Sequence, residues 1–190
     1  MKKTGWIAIA ALGATIAAAA HARAEDAPPP CATEPEGYRM ENYHAPTPMT
    51  LKGATVIDTE KAFDLWTRKA AVFIDAIARQ RRPADLPPEK PWSAEPRRDI
   101  PGSLWLADTG FGELSPQAQR YFETGLARAT GGDKAKPTVF YCRTNCWASW
   151  NAGKRAMTLG YTNVHWYPGG ADAWEKAGHP LEEKEPAPSE

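Results

Sequence analysis

The sequence is short of long apolar runs, of net charge and of cysteine, and each shortage narrows what the chain can be. The run from Trp6 to Ala20 falls below the roughly 20 apolar residues that a spanning helix needs, and Pro28-Pro29-Pro30 follows soon after. No stable membrane insertion is therefore expected. Prolines rather than small apolar residues precede Cys31, so the lipobox of a lipid-anchored protein is missing. The 23 basic residues are matched by 23 acidic ones, which removes the positive balance that nucleic-acid binding calls for. Only three cysteines occur, Cys31, Cys142 and Cys146, and the odd count leaves at least one thiol unpaired within a monomer. Trp, not His, follows Cys146, which speaks against covalent haem.

What is present begins with a secretion signal. Lys2 and Lys3, the apolar run and the small-x-small site Ala22-Arg23-Ala24 predict export to the periplasm with removal of residues 1–24. Cleavage leaves 166 residues, enough for one domain with a hydrophobic core, and 20 basic against 23 acidic residues, a net charge of about −3. In that compartment disulfides persist.

Residues 25–52 are rich in Pro, Glu and Ala and read as a tether or loosely packed arm, on which Tyr38, Arg39, Met40 and Tyr43 offer packing groups. The domain is expected over 53–182 and a C-terminal tail over 183–190. Thr55-Val56-Ile57 reads as a strand, with Asp58 or Thr59 capping a helix that carries Ala62, Phe63 and Trp66. Ala71 to Asp75 suits a strand buried on both faces, with Asp75 at the rim of the sheet. Five prolines between Arg79 and Arg98 make that stretch a surface loop. Order resumes with Ile100 to Leu106, then a helix opened by Ser115 and Pro116 that ends before Gly131-Gly132. Thr138 to Tyr141 forms the next buried strand, and a polar loop leads into a helix stopped by Gly160. Val164 to Tyr167 is the last strand, and Asp172 to Lys176 a short helix. Strands alternating with helices predict an α/β fold, a mostly parallel central sheet flanked by helices.

The chemistry centres on the loop Cys142-Arg143-Thr144-Asn145-Cys146-Trp147. Ligands of an open parallel sheet bind beyond the carboxyl ends of its strands, which is where Cys142 falls. Loop amides and the N-terminus of the following helix stabilise a thiolate there, so the Cys142 pKa is expected below the free-thiol value, with Arg143 adding positive charge. Cys146 opens the helix, and its side chain is expected to point away from those amides.

Several pieces in order resemble the rhodanese superfamily over roughly Gly53 to Leu181. Phe73-Ile74-Asp75 looks like the strand ending in the family's aspartate, and Ile100-Pro101-Gly102-Ser103 is similar to its Ile-Pro-Gly-Ala segment. Tyr141-Cys142 resembles the strand leading to the sulfur-carrying cysteine. Leu159-Gly160-Tyr161-Thr162-Asn163-Val164 and Pro168-Gly169-Gly170-Ala171-Asp172-Ala173-Trp174 match the closing pieces. The resemblance implies that Cys142 accepts a sulfane sulfur as a persulfide and passes it on, that the loop residues Arg143, Thr144, Asn145 and Trp147 meet the substrate, and that Asp75 supports the loop. The family commonly places Arg at the far end of the loop, where this chain has Trp147; thiosulfate turnover is accordingly expected to be weak. With the residues 148–156 that follow, the Cys-x-x-x-Cys-Trp loop also resembles a narrower group, the CXXCW-motif proteins associated with pyrroloquinoline-quinone (PQQ)-dependent catabolism. That resemblance implies an accessory role beside periplasmic alcohol oxidation, with a small sulfur or thiol substrate or a periplasmic quinoprotein or cytochrome as partner.

Other readings stay open on the residues alone. Cys146 pairs either with Cys142, making a redox loop, or with Cys31, leaving Cys142 free. Zinc held by both loop cysteines and His165 is a weak signature, so neither metal nor cofactor is expected. Trp147 and Trp150 either line a pocket mouth or belong to the core. The rival to catalysis, a sulfurtransferase-like activity in the first reading, is a binding module of the same fold that docks on an oxidoreductase.

Overall fold

In chain order, the elements of the computed structural model are β1 (Thr55–Val56), α1 (Thr59–Thr67), β2 (Val72–Asp75), β3 (Arg97–Asp99), β4 (Leu104–Trp105), α2 (Pro116–Thr130), β5 (Thr138–Tyr141), α3 (Trp147–Thr158), β6 (Val164–Trp166), α4 (Gly170–Lys176) and β7 (Glu182–Lys184). The structure describes residues 32–189, so the stretch expected to be a secretion signal and Cys31 lie outside the described residues. Five strands form one sheet in the order β1-β6-β5-β2-β4, with every neighbouring pair parallel. This is the α/β architecture that the strand and helix alternation predicts.

The two central strands show why the sheet is buried on both faces. Along β2, Phe73 joins Leu65, Trp174 and Tyr141 on the face covered by α1 and α4, while Ile74 joins Phe122, Leu126 and Ala156 beneath α2 and α3. The same alternation runs along β5, where Val139 and Tyr141 face one layer and Phe140 the other. Local signals fix the helix ends: Asp58 caps α1 by accepting the Lys61 N–H at 2.8 Å. The Ser115 hydroxyl caps α2 by accepting the Ala118 N–H at 3.2 Å, a bond worth about 1 kcal/mol.

Two segments depart from the sequence reading. Residues 182–184, divided between the domain and its expected tail, pair antiparallel with β3 as a second, two-stranded sheet, with Asp99 opposite Glu182 and Arg97 opposite Lys184. Residues 32–52 lie along α3. The Asn151 side-chain amide accepts the Arg39 N–H and donates to the Arg39 carbonyl, both at 2.9 Å, and Trp150 Nε1 donates to Thr50 O at 3.0 Å. Gly112 makes room for this segment: a Cβ there would stand 2.4 Å from the Arg39 carbonyl oxygen.

Candidate active site

β5 ends at Tyr141, in register with Asp75 at the end of β2, and Cys142 is the first residue beyond that edge. Its sulfur is bonded to that of Cys146, with the two Cα atoms 6.3 Å apart, inside the span a disulfide can bridge. Of the two pairings the sequence left open, the structure makes this one. The expectation that Cys146 turns away from the loop centre is thereby corrected. As the residue before α3 it is extended, at φ −121° and ψ 116°, and its side chain caps no helix N–H but reaches across the loop to Cys142. Both residues are buried, Cys142 at 0% and Cys146 at 2% exposure, packed against Ala148 and the partly buried Ile77.

The remaining loop residues divide between two neighbours. Arg143 and Thr144 face α4: Arg143 Nε lies 3.3 Å from an Asp172 carboxylate oxygen, the Thr144 N–H donates to the same carboxylate at 3.1 Å, and the Thr144 hydroxyl donates to Gly169 O at 2.8 Å. Gly170 allows this approach, because its φ is +57° and a Cβ would stand 2.6 Å from the Cys142 carbonyl oxygen. Asn145, at φ +54°, gives its carbonyl to the Ala45 N–H at 3.1 Å. The Trp147 N–H donates to Tyr43 O at 2.9 Å, and His44 forms an antiparallel bridge with Cys146. Two amides expected to surround Cys142 are thus engaged elsewhere, one by Asp172 and one by the arm.

Of the two readings left open for Trp147, pocket mouth and core, its packing is that of a core residue. Its indole is 1% exposed, packs edge-on to Trp150 at 5.4 Å between centroids, and lies under the Arg39 guanidinium at 5.1 Å. Trp150 is fully buried in the same cluster. His165 stands in register with Val139, three residues back along β5 from Cys142, and burial lowers its pKa.

Beside the disulfide, Asp75 holds the edge together. One carboxylate oxygen accepts the Ile77 N–H at 2.9 Å and the other accepts from Arg97 Nε at 2.8 Å. Arg97 is the centre of a buried charge cluster with Asp75 and Asp99, and its Nε also lies 2.9 Å from Asp99 Oδ1. That nitrogen aims its hydrogen at Asp75, so neither Asp99 oxygen has an aligned donor. Burial, reinforced by repulsion from Asp75 and opposed by Arg97, pushes the Asp99 pKa up to about 8. Burial works to lower the Arg97 pKa, but the two carboxylates outweigh it and hold the guanidinium above its ordinary value. Tyr141, whose hydroxyl donates to Ser103 Oγ at 2.8 Å, is raised well above the usual phenol range, by burial first and Asp99 second. A cleft of about 900 Å³ opens over this cluster, lined among others by His44, Ile77, Arg97, Arg143, Asp172 and Lys184. It stops short of both cysteines.

Sequence reasoning missed Asn151 and Arg155 as the residues that seat the arm. Arg155, 4% exposed, donates to the carbonyls of Thr109, Phe111 and Gly112 at 2.8 to 3.0 Å and stacks over Tyr38 at 4.6 Å. The signal was present: Asn and Arg four residues apart share one helix face with small alanines, a polar stripe on a helix that buries nearly all its residues.

No curated protein matches the chain. Solved structures similar to it include a protein of unknown function, a possible tyrosine phosphatase, from Rhodopseudomonas palustris, at 24% identity over 68% of this chain and 85% of that one, TM-score 0.41. A polysulfide-sulfur transferase homodimer from Wolinella succinogenes matches at 21% identity over 70% and 82%, TM-score 0.45. A human single-domain sulfurtransferase matches at 18% over 65% and 96%, TM-score 0.40. The family of rhodanese-like domains matches residues 52–177, which contain the whole parallel sheet, Asp75 and the Cys142 loop, and this chain belongs to that family.

Proposed function

We propose that the chain is an exported sulfur carrier in which Cys142 takes up a sulfane sulfur as a persulfide and hands it to an acceptor, with Cys146 as the resolving thiol. The observation that carries this reading is the Cys142–Cys146 bond at the carboxyl edge of a rhodanese-like sheet. An attacking thiol is favoured by a nearby positive dipole, and Cys142 lies on the loop before the N-terminus of α3. Export rests on the charged start, apolar run and Ala22-Arg23-Ala24. The place beside PQQ-dependent alcohol oxidation rests on the resemblance of the Cys-x-x-x-Cys-Trp loop to the CXXCW-motif proteins.

The test is the pH dependence of iodoacetamide labelling of the reduced protein, read peptide by peptide with Cys142→Ser and Cys146→Ser as controls. Cys142 is expected to label fastest and at the lowest pH. Slow labelling of Cys142, with its rate rising only in the range of a free thiol near about 8.5, would overturn the reading.

The burial of both cysteines and of Trp147 favours a second reading, a binding module that uses this fold to dock on a periplasmic oxidoreductase such as a quinoprotein or cytochrome. A docking module keeps its function when Cys142 is Ser; a sulfur carrier loses it.

A further inference from the structure

The bond between Cys142 and Cys146 joins the two sulfurs directly, and the pair is packed against Ala148 and Ile77 with almost no exposed surface. A persulfide on Cys142 would place an additional sulfur atom on its Sγ, where the Cys146 sulfur is now bonded, so the persulfide and the closed disulfide exclude one another. The contact shows which atom Cys146 reaches: the inner sulfur, Cys142 Sγ itself. As a structural staple the bond is poorly placed, because it closes a separation of only four residues and so constrains an unfolded chain far less than a bridge across a long loop does.

Resting on the sulfur-carrier reading, we propose that the protein has a second activity, the reductive discharge of its own persulfide as hydrosulfide. The Cys146 thiolate attacks Cys142 Sγ and supplies the electron pair of the new Cys142–Cys146 bond. The bond between Cys142 Sγ and the outer sulfur breaks, and the outer sulfur leaves with that electron pair and its proton as HS⁻. The sulfane sulfur is reduced, the cysteine pair is oxidised, and no other reactant is consumed. The disulfide returns to two thiols by exchange with an external dithiol, which is itself oxidised to a disulfide. Each discharge therefore draws two electrons from a dithiol partner.

The structure supplies two features that favour this outcome over release to a distant acceptor. Cys146 is held at the start of α3 by the His44 bridge, on the same loop as the persulfide, so the attack is intramolecular. Once the bond has formed, the arm lies over it: Tyr43 O accepts the Trp147 N–H and Asn145 O accepts the Ala45 N–H, closing the loop against a further donor until a reductant opens it.

The experiment uses the full mature chain carrying Cys31→Ser, reduced, freed of reductant and kept anaerobic, with inorganic polysulfide as the probe. Aliquots are acid-quenched for intact and peptide mass. The chain with both loop cysteines is expected to gain the mass of one sulfur transiently, then to lose it together with two hydrogens, ending with Cys142 linked to Cys146. Adding Cys146→Ser is expected to trap the added sulfur on Cys142 and to slow its loss at least about tenfold. Equal persistence of the added sulfur with and without Cys146 would overturn the discharge while leaving the carrier reading intact. Failure of either chain to take sulfur onto Cys142 would overturn both.

Discussion

Asp99 shows how a single residue at the sheet edge couples this fold to pH. Its two oxygens are buried without an aligned donor, beside the Asp75 carboxylate that already holds Arg97 and the Ile77 N–H. A proton on Asp99 resolves the conflict, since it removes a like charge and turns one oxygen into a donor. The folded pKa of about 8 lies above the ordinary 3.8, so folding binds this proton more tightly. Stability from this group is complete below about pH 4 and declines as the pH rises through about 8. In thermal unfolding of the oxidised protein, wild type is therefore expected to lose stability relative to Asp99→Asn across that window, with the two profiles parallel above it. Parallel profiles within the window would show that Asp99 is ionised in the folded state at neutral pH.

At the scale of elements, the arm and α3 act as one unit. The arm's hold on the loop is backbone pairing around His44, and its hold on the helix is the Asn151 amide against Arg39 and the Arg155 guanidinium over Tyr38. Ala45→Pro deletes the N–H given to Asn145 O, a loss of about 1 kcal/mol that corresponds to about a fivefold change in opening. Phosphine reduction of the Cys142–Cys146 bond is expected to accelerate by about that factor, and an unchanged rate would mean that the arm does not limit access. The sheet and its helices were legible because each carries a local signal: short unbroken apolar runs in β2 and β5, Ser115 with Pro116 opening α2, and the residues around Gly131 closing it. The arm was not legible as an element of the site. Its attachment depends on backbone groups meeting Asn151 and the loop over long sequence separation, and a Pro-rich composition carries no periodicity to announce that. β7 was missed for a similar reason, since three charged residues become a strand only through pairing with β3.

Across the whole molecule, the parallel sheet brings Asp75 of β2 and the Cys142 loop after β5 to one edge, and the two-stranded sheet sets Arg97 and Asp99 of β3 against Asp75. The sequence located that edge and named Cys142, Cys146 and Asp75 as residues of it. It left Trp147 open between pocket mouth and core, because that indole is covered by Arg39 and the Tyr43 backbone of the arm, contacts made over long sequence separation. The same burial makes Trp147→Arg a poor probe of substrate charge, since the new guanidinium would lie beneath that of Arg39. The central claim is that Cys142 carries transferable sulfur, and it is tested most directly by thiocyanate formation from inorganic polysulfide and cyanide, measured above the uncatalysed rate. Cys146→Ser, which cannot form the internal disulfide, is predicted to sustain transfer without added dithiol, and Cys142→Ser to lose it by at least about a hundredfold. Transfer by Cys142→Ser at the rate of Cys146→Ser would contradict the account.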